Sequence, residues 1–171
     1  YVFVDTTNNP ASLWTISGTP GTSPLWESTT ASFVSPPNSY TDSRTGNYVS
    51  NATVTLLSTG NISLQNVSQP ILTFNTRFDF ESRYDCGVVE VSTNSGSTWI
   101  PLSGRFTKPA SGLGKQTPAG SPVYDGVLNT WSEEQISLTP YAGQNIKLRF
   151  QLKSDGSQVR DGWYIDDIGI Y

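Results

Sequence analysis

Alternation of apolar and polar residues is the dominant pattern of this chain, and it predicts β-strands. The longest alternating stretch covers residues 71–81, where one face carries Leu72, Phe74, Thr76, Phe78 and Phe80. Successive side chains of a strand point to opposite faces, so this stretch offers one face to a core. Residues 87–92 and 146–152 alternate in the same way. No window keeps the spacing of an amphipathic helix for three turns.

Shorter alternating stretches predict further strands at residues 131–138 and 161–171. Residues 52–57 and 61–64 predict a hairpin around Ser58-Thr59-Gly60. Residues 104–126 are rich in Gly, Pro and Ser, and a loop of that length is functional, mobile or contains a short hairpin. Many short strands between polar turns indicate a β-sandwich or barrel. We predict one all-β domain spanning residues 1–171.

The last predicted strand contains two adjacent carboxylates, Asp166 and Asp167. Strict alternation places Trp163, Ile165, Asp167 and Tyr171 on one face, and Tyr164, Asp166, Ile168 and Ile170 on the other. Both faces are apolar, so at least one aspartate is drawn toward a packed interior. A buried carboxylate needs a cation, an arginine or several N–H donors. Bound Ca²⁺ is one answer; Arg149, Arg77 or a cluster of backbone N–H groups is the other.

Composition favours an extracellular module. Only 14% of the 171 residues are charged, below the usual quarter, and the formal net charge is −4. A chain of this charge has no means of neutralising a run of phosphates, which argues against nucleic acid. The sequence contains no histidine, which excludes Ser-His-Asp and Cys-His catalysis. Cys86 is the only cysteine, so no internal disulfide forms, and we expect it to be inert.

No stretch of the sequence is long and apolar enough to be a signal peptide or a membrane span. The chain contains no methionine, including at position 1, from which we expect that it was cut from a larger precursor. We therefore expect a secreted or cell-surface protein without membrane insertion.

Three segments together carry a resemblance: residues 78–99, residues 138–150 and the terminal Gly162-Trp163-Tyr164-Ile165-Asp166-Asp167-Ile168. Over about residues 45–171 the chain resembles the MAM-like jelly-roll module found beside the catalytic domains of secreted bacterial peptidases such as immune inhibitor A. It is also similar to the adhesin modules of gingipain-type proteases. The resemblance implies a galactose-binding-like, jelly-roll β-sandwich that is not catalytic. It also implies structural Ca²⁺ and a role in adhesion, substrate docking or stabilisation of neighbouring domains.

Calcium takes six to eight hard oxygen ligands, which points to the acidic residues that flank the strands. The candidate metal ligands are Glu81, Asp85, Asp155, Asp161, Asp166, Asp167, Asp42 and Asn47. Pairing with arginine or solvation of the loop acids is the alternative for each. The twelve-residue spacing of an EF-hand is absent.

Aromatic residues raise a second possibility, a carbohydrate-binding module. Trp14, Trp26 and Tyr124 lie near predicted loops and are the candidate sugar contacts, with packing in the core as the alternative. Trp99 and Trp163 are expected in the core. Residues 92–99 resemble an Asp-box hairpin with Asn94 in place of Asp, which we interpret as a structural clasp.

A glycoside hydrolase with paired carboxylates is the third and weakest hypothesis. Glu90 is the only acid in its short strand, and we expect Glu133 and Glu134 at an exposed edge. The sequence thus favours a non-catalytic, calcium-stabilised accessory or adhesion module of a larger secreted protein, associated with a peptidase. Its expected partners are neighbouring domains and an extracellular protein or glycan.

Overall fold

The computed structural model describes all 171 residues and consists almost entirely of strands. Its helical segments are two single 3₁₀ turns, Pro10–Ser12 and Thr139–Tyr141. None of these segments has the length and apolar character needed to cross a membrane. The strands are β1 (Phe3–Val4), β2 (Trp14–Gly18), β3 (Glu27–Thr29), β4 (Ser39–Thr41), β5 (Thr53–Ser58), β6 (Ile62–Ser63), β7 (Ile71–Asp79), β8 (Cys86–Ser92), β9 (Ile100–Pro101), β10 (Lys108–Pro109), β11 (Pro122–Val123), β12 (Val127–Ser137), β13 (Asn145–Lys153) and β14 (Gly162–Ile170).

The long strands form two antiparallel sheets that enclose the core. The first sheet has the order β12-β7-β14-β4-β3, and β1 pairs with the free edge of β14 beyond β4. The second sheet has the order β2-β5-β13-β8-β9, and β6 also pairs with β13. The segment 104–126 contains a short separate hairpin, β10-β11. The predicted all-β, jelly-roll β-sandwich is confirmed. That residues 1–171 form a single module remains a prediction.

The core between the sheets is unusually aromatic at its centre. A cluster of 27 buried hydrophobic residues includes Trp14, Trp26 and Trp163. The ring of Trp163 lies 5.1 Å from that of Tyr124 and 5.9 Å from that of Phe150, centroid to centroid. Aromatic pairs at these separations add to the stabilisation from burial. The alternation of β7 and β13 supplies much of this core, as their patterns predict.

The predicted hairpin at residues 52–64 is wrong. Instead, β5 and β6 lie one after the other along the same edge of β13: Leu57 pairs with Arg149 and Ile62 pairs with Ile146. Residues 59–61 bulge away between them, and the N–H of Thr59 donates to the carbonyl of Leu13, the residue before β2. A turn signal such as Ser58-Thr59-Gly60 marks a break in pairing, and here the chain continues beyond the break in its original direction.

The strict alternation predicted for the last strand fails at Asp167. Asp166 pairs with Asn75, but Gly169 pairs with Thr73, so β14 carries an extra residue between them. Asp167 takes a φ of +52°, a left-handed conformation that some types of β-bulge use. The bulge reverses the faces, so Ile168 and Ile170 join Trp163 and Ile165 in the core. The assignment of these isoleucines to the opposite face is therefore corrected.

The Asp-box-like turn is a clasp, as expected, but it does not carry its tryptophan into the core. Asn94 Oδ1 accepts hydrogen bonds from the Ser92 hydroxyl and the Thr98 N–H. Trp99 is only partly buried, and the guanidinium of Arg149 lies 4.3 Å from its ring centroid. Arg149 is held in place by its ion pair with Glu90, and the indole packs on the guanidinium outside the sandwich through a cation–π contact. The prediction that Trp99 lies in the core is wrong.

Candidate metal centre

Three of the predicted ligands converge at one end of the sandwich. Carboxylate oxygens of Glu81, Asp85 and Asp155 all lie within 4.8 Å of one another. Glu81 follows β7, Asp85 immediately precedes β8, and Asp155 follows β13. The pairing of Lys153 with Cys86 places the end of β13 beside the start of β8, which brings Asp155 to Asp85. We call these three residues the carboxylate triad.

Hydrogen bonds fix Asp85 at the centre of the triad. Asp85 is fully buried; its Oδ2 accepts from the Tyr48 hydroxyl at 2.7 Å and its Oδ1 from the Asp155 N–H at 2.8 Å. The Tyr48 oxygen in turn accepts from the N–H of Glu81 at 3.0 Å. The Oε2 atom of Glu81 is buried and has no hydrogen-bond partner. The triad therefore contains an acceptor that the chain itself leaves unsatisfied, which costs stability unless something else pairs with it.

No ion pair of the chain neutralises the triad, although the more distant charge of Arg160 partly opposes the rise in the pKa of Glu81. The two ion pairs of the structure join Arg44 to Glu27 and Arg149 to Glu90, so none involves the triad. Burial, followed by the nearby carboxylates of Asp155 and Asp85, raises the pKa of Glu81. Burial likewise raises the pKa of Asp85, against the opposing hydrogen bonds from Tyr48 and Asp155. A cation among these oxygens would relieve both the repulsion and the desolvation.

The segment 104–126 packs against the triad through Gly114. A Cβ atom at this glycine would lie 2.6 Å from the carbonyl oxygen of Tyr84 and 3.0 Å from Oδ2 of Asp155. Gly114 also has a φ of +51°, and the N–H of Lys115 donates to the Tyr84 carbonyl at 2.7 Å. Only glycine fits such a close approach in that conformation. The long segment thus packs closely against the triad at Asp155.

The other predicted metal ligands lie outside the triad. Asp42 is buried and accepts from the Ser43 hydroxyl and the Trp163 N–H. Asp161 accepts from the Tyr164 hydroxyl at 3.1 Å. Asn47 is exposed. Within the described chain these three are held by protein donors or open to solvent, so the geometry gives them no common ion.

The twin aspartates of β14 follow the alternative interpretation, a cluster of N–H donors. Asp166 Oδ2 accepts from the backbone N–H groups of Val34 and Ser35, at 2.7 and 2.9 Å. Asp167 Oδ2 accepts from the Ser35 hydroxyl and from Nδ2 of Asn75, both at 2.9 Å. The aspartates therefore anchor the loop that precedes β4 to the bulge in β14.

The three candidate sugar contacts are buried. Trp14, Trp26 and Tyr124 are each at most 2% exposed. Their polar atoms find partners inside the protein, namely Asp5, the carbonyl of Val54 and Glu134, so the rings present no stacking face to solvent. Glu134 corrects another expectation: it is fully buried, accepts from the N–H groups of Arg105 and Gln135, and does not lie at an exposed edge.

Sequence reasoning missed two residues that shape the triad, Tyr48 and Gly114. Tyr48 is 37 positions from Asp85 and lies in no recognisable motif. Gly114 is one of several glycines in a segment whose path the pattern left open. Neither carries a local signal, because their role depends on contacts across the fold.

Asp42 gives a pH-dependent prediction. Burial raises its pKa from about 3.8 to about 7. The single proton of the Ser43 hydroxyl faces two acceptors, Asp42 Oδ1 at 2.6 Å and the Asp161 carbonyl at 2.7 Å. Protonation of Asp42 would reverse its hydrogen bond with Ser43: the acid would donate to the Ser43 oxygen, and the hydroxyl proton would go to the Asp161 carbonyl. The folded state thus retains a proton that the unfolded state has released between about pH 4 and 7, so stability falls as pH rises through that window.

We expect Asp42→Asn to remove this pH dependence, because an amide can donate to Ser43 and still accept from Trp163. The variant should be close to the parent near pH 4 and exceed it by about 4 kcal/mol at pH 8. Urea unfolding at the two pH values measures the difference. Equal stability of the two proteins at both pH values would show that Asp42 is ionised in the folded chain.

Comparison with known proteins places the chain in a family. The immune inhibitor A-like MAM domain family matches residues 38–171. Bacillopeptidase F of Bacillus subtilis (strain 168) is 32% identical over 129 residues, which are 75% of this chain and 8% of that protein. The pre-pro-metalloprotease PrtV of Vibrio cholerae serotype O1 (strain M66-2) is 32% identical over 107 residues, covering 60% of this chain and 10% of that protein. The chain thus spans about a tenth of the length of these relatives.

Solved structures share the fold at low sequence identity. The K3 cleaved adhesin domain of Lys-gingipain from Porphyromonas gingivalis w83 superposes with a TM-score of 0.57 at 17% identity, covering 99% of this chain and 98% of that one. The carbohydrate-binding module TmCBM61, in complex with β-1,4-galactotriose, gives 0.54 at 12% identity, covering 98% and 96%. Such distant likeness supports the fold alone. On the family match over residues 38–171, the resemblance drawn from the sequence is confirmed, and the chain belongs to the immune inhibitor A-like MAM domain family.

Proposed function

We propose that this chain is a non-catalytic accessory module of a larger secreted peptidase, and that Ca²⁺ bound by the carboxylate triad stabilises it. The proposal of a bound metal ion is supported by the convergence of Glu81, Asp85 and Asp155 around a buried carboxylate oxygen that has no hydrogen-bond partner. Hard carboxylate oxygens that form no ion pair are what Ca²⁺ prefers, and backbone carbonyls and water complete its shell.

The ion would act as a fastener. Glu81 and Asp85 belong to the connection between β7 and β8, and Asp155 begins the connection between β13 and β14. Because β7 and β8 lie in different sheets, an ion held by these residues ties the two layers together at one end. It would also make full ionisation of the three acids favourable. This role needs no open coordination position and no bound substrate.

The chemistry of the other reactive groups supports a non-catalytic role. The Cys86 thiol is buried, which raises its pKa to about 12 and keeps it far from a reactive thiolate. Glu134 is saturated by donors in the interior, and Glu90 is paired with Arg149. Carboxylates committed to structural bonds are poorly suited to general acid or nucleophilic work in a glycosidase.

The accessory role rests on the relatives. In the two peptidases, the segment that matches this chain is about a tenth of the protein's length, which supports neighbouring domains as the first partners of the module. That both relatives are peptidases supports secretion of the parent protein. Adhesion to an extracellular protein is supported by the fold shared with a gingipain adhesin domain.

A carbohydrate-binding role is the second candidate, supported by the fold shared with TmCBM61. The aromatic side chains give it less support. Besides the buried indoles, Trp99 has one face covered by Arg149, and Trp131 donates its N–H to Ser32 and packs edge-on against Tyr164. Titration of tryptophan fluorescence with β-linked oligosaccharides distinguishes the two roles, since saturable binding would favour the glycan candidate.

Removal of calcium is the first test. Ligand that binds only the folded state at a hundredfold excess over Kd adds about 2.7 kcal/mol of stability. For a domain of this size we expect Tm to fall by about 5–10 °C when a chelator is added to calcium-loaded protein. Magnesium, which demands a tighter octahedral site, serves as the control ion and should restore little. A melt that is identical with chelator and with millimolar calcium would refute the structural ion.

A further inference from the structure

Three Asp-Gly pairs occur in the chain, and the structure distinguishes one of them. They are Asp125-Gly126, Asp155-Gly156 and Asp161-Gly162. An aspartyl residue that precedes glycine closes into a five-membered succinimide when the glycine nitrogen attacks the side-chain carboxyl carbon, because glycine has no Cβ to obstruct the approach. The succinimide opens again to aspartate or to isoaspartate. Which pair reacts in a folded protein depends on the freedom of the carboxyl group and of that nitrogen.

The first and third pairs are held by the fold. Asp125 Oδ1 accepts from the Arg83 N–H at 2.8 Å and from Nε2 of Gln116 at 2.7 Å, which commits this carboxyl group to other parts of the chain. Gly162 is buried at the start of β14 and pairs with Asp79 of β7. Ring closure requires the nitrogen and the carboxyl carbon to move together, and these contacts oppose that movement.

Asp155-Gly156 differs from both. It lies in the connection between β13 and β14, where Gly156 and Ser157 are exposed. Asp155 Oδ1 accepts from the Ser157 N–H at 3.3 Å, which closes an Asx turn. In such a turn the side chain folds over the intervening peptide group, so its carboxyl carbon lies beside the Gly156 nitrogen. No hydrogen bond of the chain uses the Gly156 N–H, which leaves this nitrogen free to attack.

We propose that Asp155 is a site of spontaneous isoaspartate formation, with the Gly156 nitrogen as the nucleophile. The nitrogen bonds to Cγ, and its proton leaves as water together with the hydroxyl of the carboxyl group. Water then adds to one of the two carbonyl carbons of the ring. Cleavage between Cγ and nitrogen restores aspartate, and cleavage between the main-chain carbonyl carbon and nitrogen gives isoaspartate. The sum is an isomerisation that needs no enzyme, oxidant or reductant.

Isoaspartate at this position changes the carboxylate triad. The main chain of the product runs through Cβ and Cγ, so it is one carbon longer, and the carboxylate is attached directly to Cα. In the parent, the Asp155 N–H donates to Asp85 Oδ1 and its carbonyl accepts from the Asn51 N–H, both at 2.8 Å. A longer main chain does not keep these two bonds and the position of the carboxylate together. The modification therefore displaces one of the three acids of the triad.

Protection by calcium is the part of this proposal that rests on the proposed function. An ion bound by the triad keeps the carboxylate oxygens of Asp155 in its shell, so that none leaves as water. Calcium at a hundredfold excess over its Kd leaves about one molecule in a hundred unbound, so the rate of isomerisation should fall about a hundredfold. Loss of the ion would then expose the module to a slow modification of its own metal site.

The test is a timed incubation of the folded chain with chelator at neutral pH, followed by trypsin digestion and mass spectrometry. Trypsin places the three pairs in separate peptides, residues 116–147, 154–160 and 161–171. Backbone fragments diagnostic of isoaspartate are quantified in each peptide, with the chain unfolded in urea as the reference. We expect isoaspartate at all three aspartates in urea and at Asp155 alone in the folded chain. Equal rates at the three positions of the folded chain, or no isoaspartate at Asp155, would overturn the proposal.

The same incubation with calcium separates the modification from the structural ion. Isoaspartate that forms with chelator and is suppressed by calcium supports both. Isoaspartate that forms at Asp155 at equal rates with calcium and with chelator supports the modification site and refutes an ion bound by the triad.

Gly156→Ala tests the nucleophile. A Cβ at this glycine would meet only the side chain of Asn51, at 3.6 Å, so the fold accommodates it. Because a Cβ next to the nitrogen hinders its approach to the carboxyl carbon, we expect the rate of isoaspartate formation at Asp155 to fall severalfold. Ser157→Ala, one position further along, is the matched control and should keep the parent rate. An unchanged rate in Gly156→Ala would exclude attack by this nitrogen and overturn the proposal.

Discussion

Asp85→Asn is expected to abolish the stabilisation of this module by calcium. The substitution removes the central charge of the carboxylate triad and leaves its neighbours Glu81 and Asp155 in place. The asparagine keeps one acceptor oxygen and carries an NH₂ in place of the other, although both partners, the Tyr48 hydroxyl and the Asp155 N–H, donate. One donor then faces another, so we expect a loss of about 1–3 kcal/mol even without calcium. With calcium present, the whole difference of about 5–10 °C in Tm between loaded and chelated protein should disappear.

Thermal melts of parent and variant, each with calcium and with chelator, measure both effects at once. Asp167→Asn is the matched control: it makes the same change at an exposed aspartate that the structure leaves outside the triad, and its response to calcium should equal that of the parent. A calcium response that survives in Asp85→Asn, or is lost in Asp167→Asn, would move the ion away from the triad.

Trp163→Ala is expected to cost the most stability of any single substitution in the core. The indole is fully buried between the two sheets, among the rings of Trp26, Phe80, Tyr124 and Phe150. Its Nε1 donates to the Thr76 hydroxyl at 2.8 Å. Truncation of a large buried aromatic costs about 3–5 kcal/mol, a large part of the 5–15 kcal/mol that stabilises a typical domain.

Urea unfolding of Trp163→Ala should show a lower midpoint, and Trp163→Phe is the comparison. The phenylalanine variant keeps a ring in the cavity but loses the hydrogen bond to Thr76, so we expect a smaller loss. Gly87→Ala makes an independent check. Its Cβ would lie 2.8 Å from the indole, so we expect this variant to lose stability as well. A loss below about 1 kcal/mol for Trp163→Ala would mean that the indole is not the centre of the core.

The sandwich could be predicted because its central strands follow strict alternation. Strands β7 and β13 bury every second residue along most of their length, which is the pattern that an antiparallel sheet with one covered face imposes. The motifs at residues 138–150 and 162–168 then narrowed the fold to its family.

The errors lie where the chain leaves regular pairing. A single extra residue at Asp167 reverses the faces of β14, and nothing in the local sequence distinguishes this bulge from continued alternation. The break at residues 59–61 looks like a hairpin turn because a turn and a bulge use the same residue types. The locations of Trp99 and Glu134 were predicted wrongly for a related reason, since the fold decides their partners: Arg149 of β13 contacts Trp99, and Arg105 and Tyr124 of the segment 104–126 donate to Glu134.

The site could be predicted only as a set of candidates. Carboxylates at strand ends identified Glu81, Asp85 and Asp155, but also five residues that the fold separates from them. Which acids meet is decided by the pairing of β13 with β8, a contact between residues about 60 positions apart. Tyr48 and Gly114, which position and cover the triad, could be found only from the structure.

The most direct measurement is a crystal structure of the chain grown or soaked in calcium, with the anomalous signal of the ion recorded. We predict one strong anomalous peak with oxygens of Glu81, Asp85 and Asp155 at about 2.3–2.6 Å from it. A well-ordered triad without a peak at millimolar calcium, or a peak bound only by other residues, would contradict it.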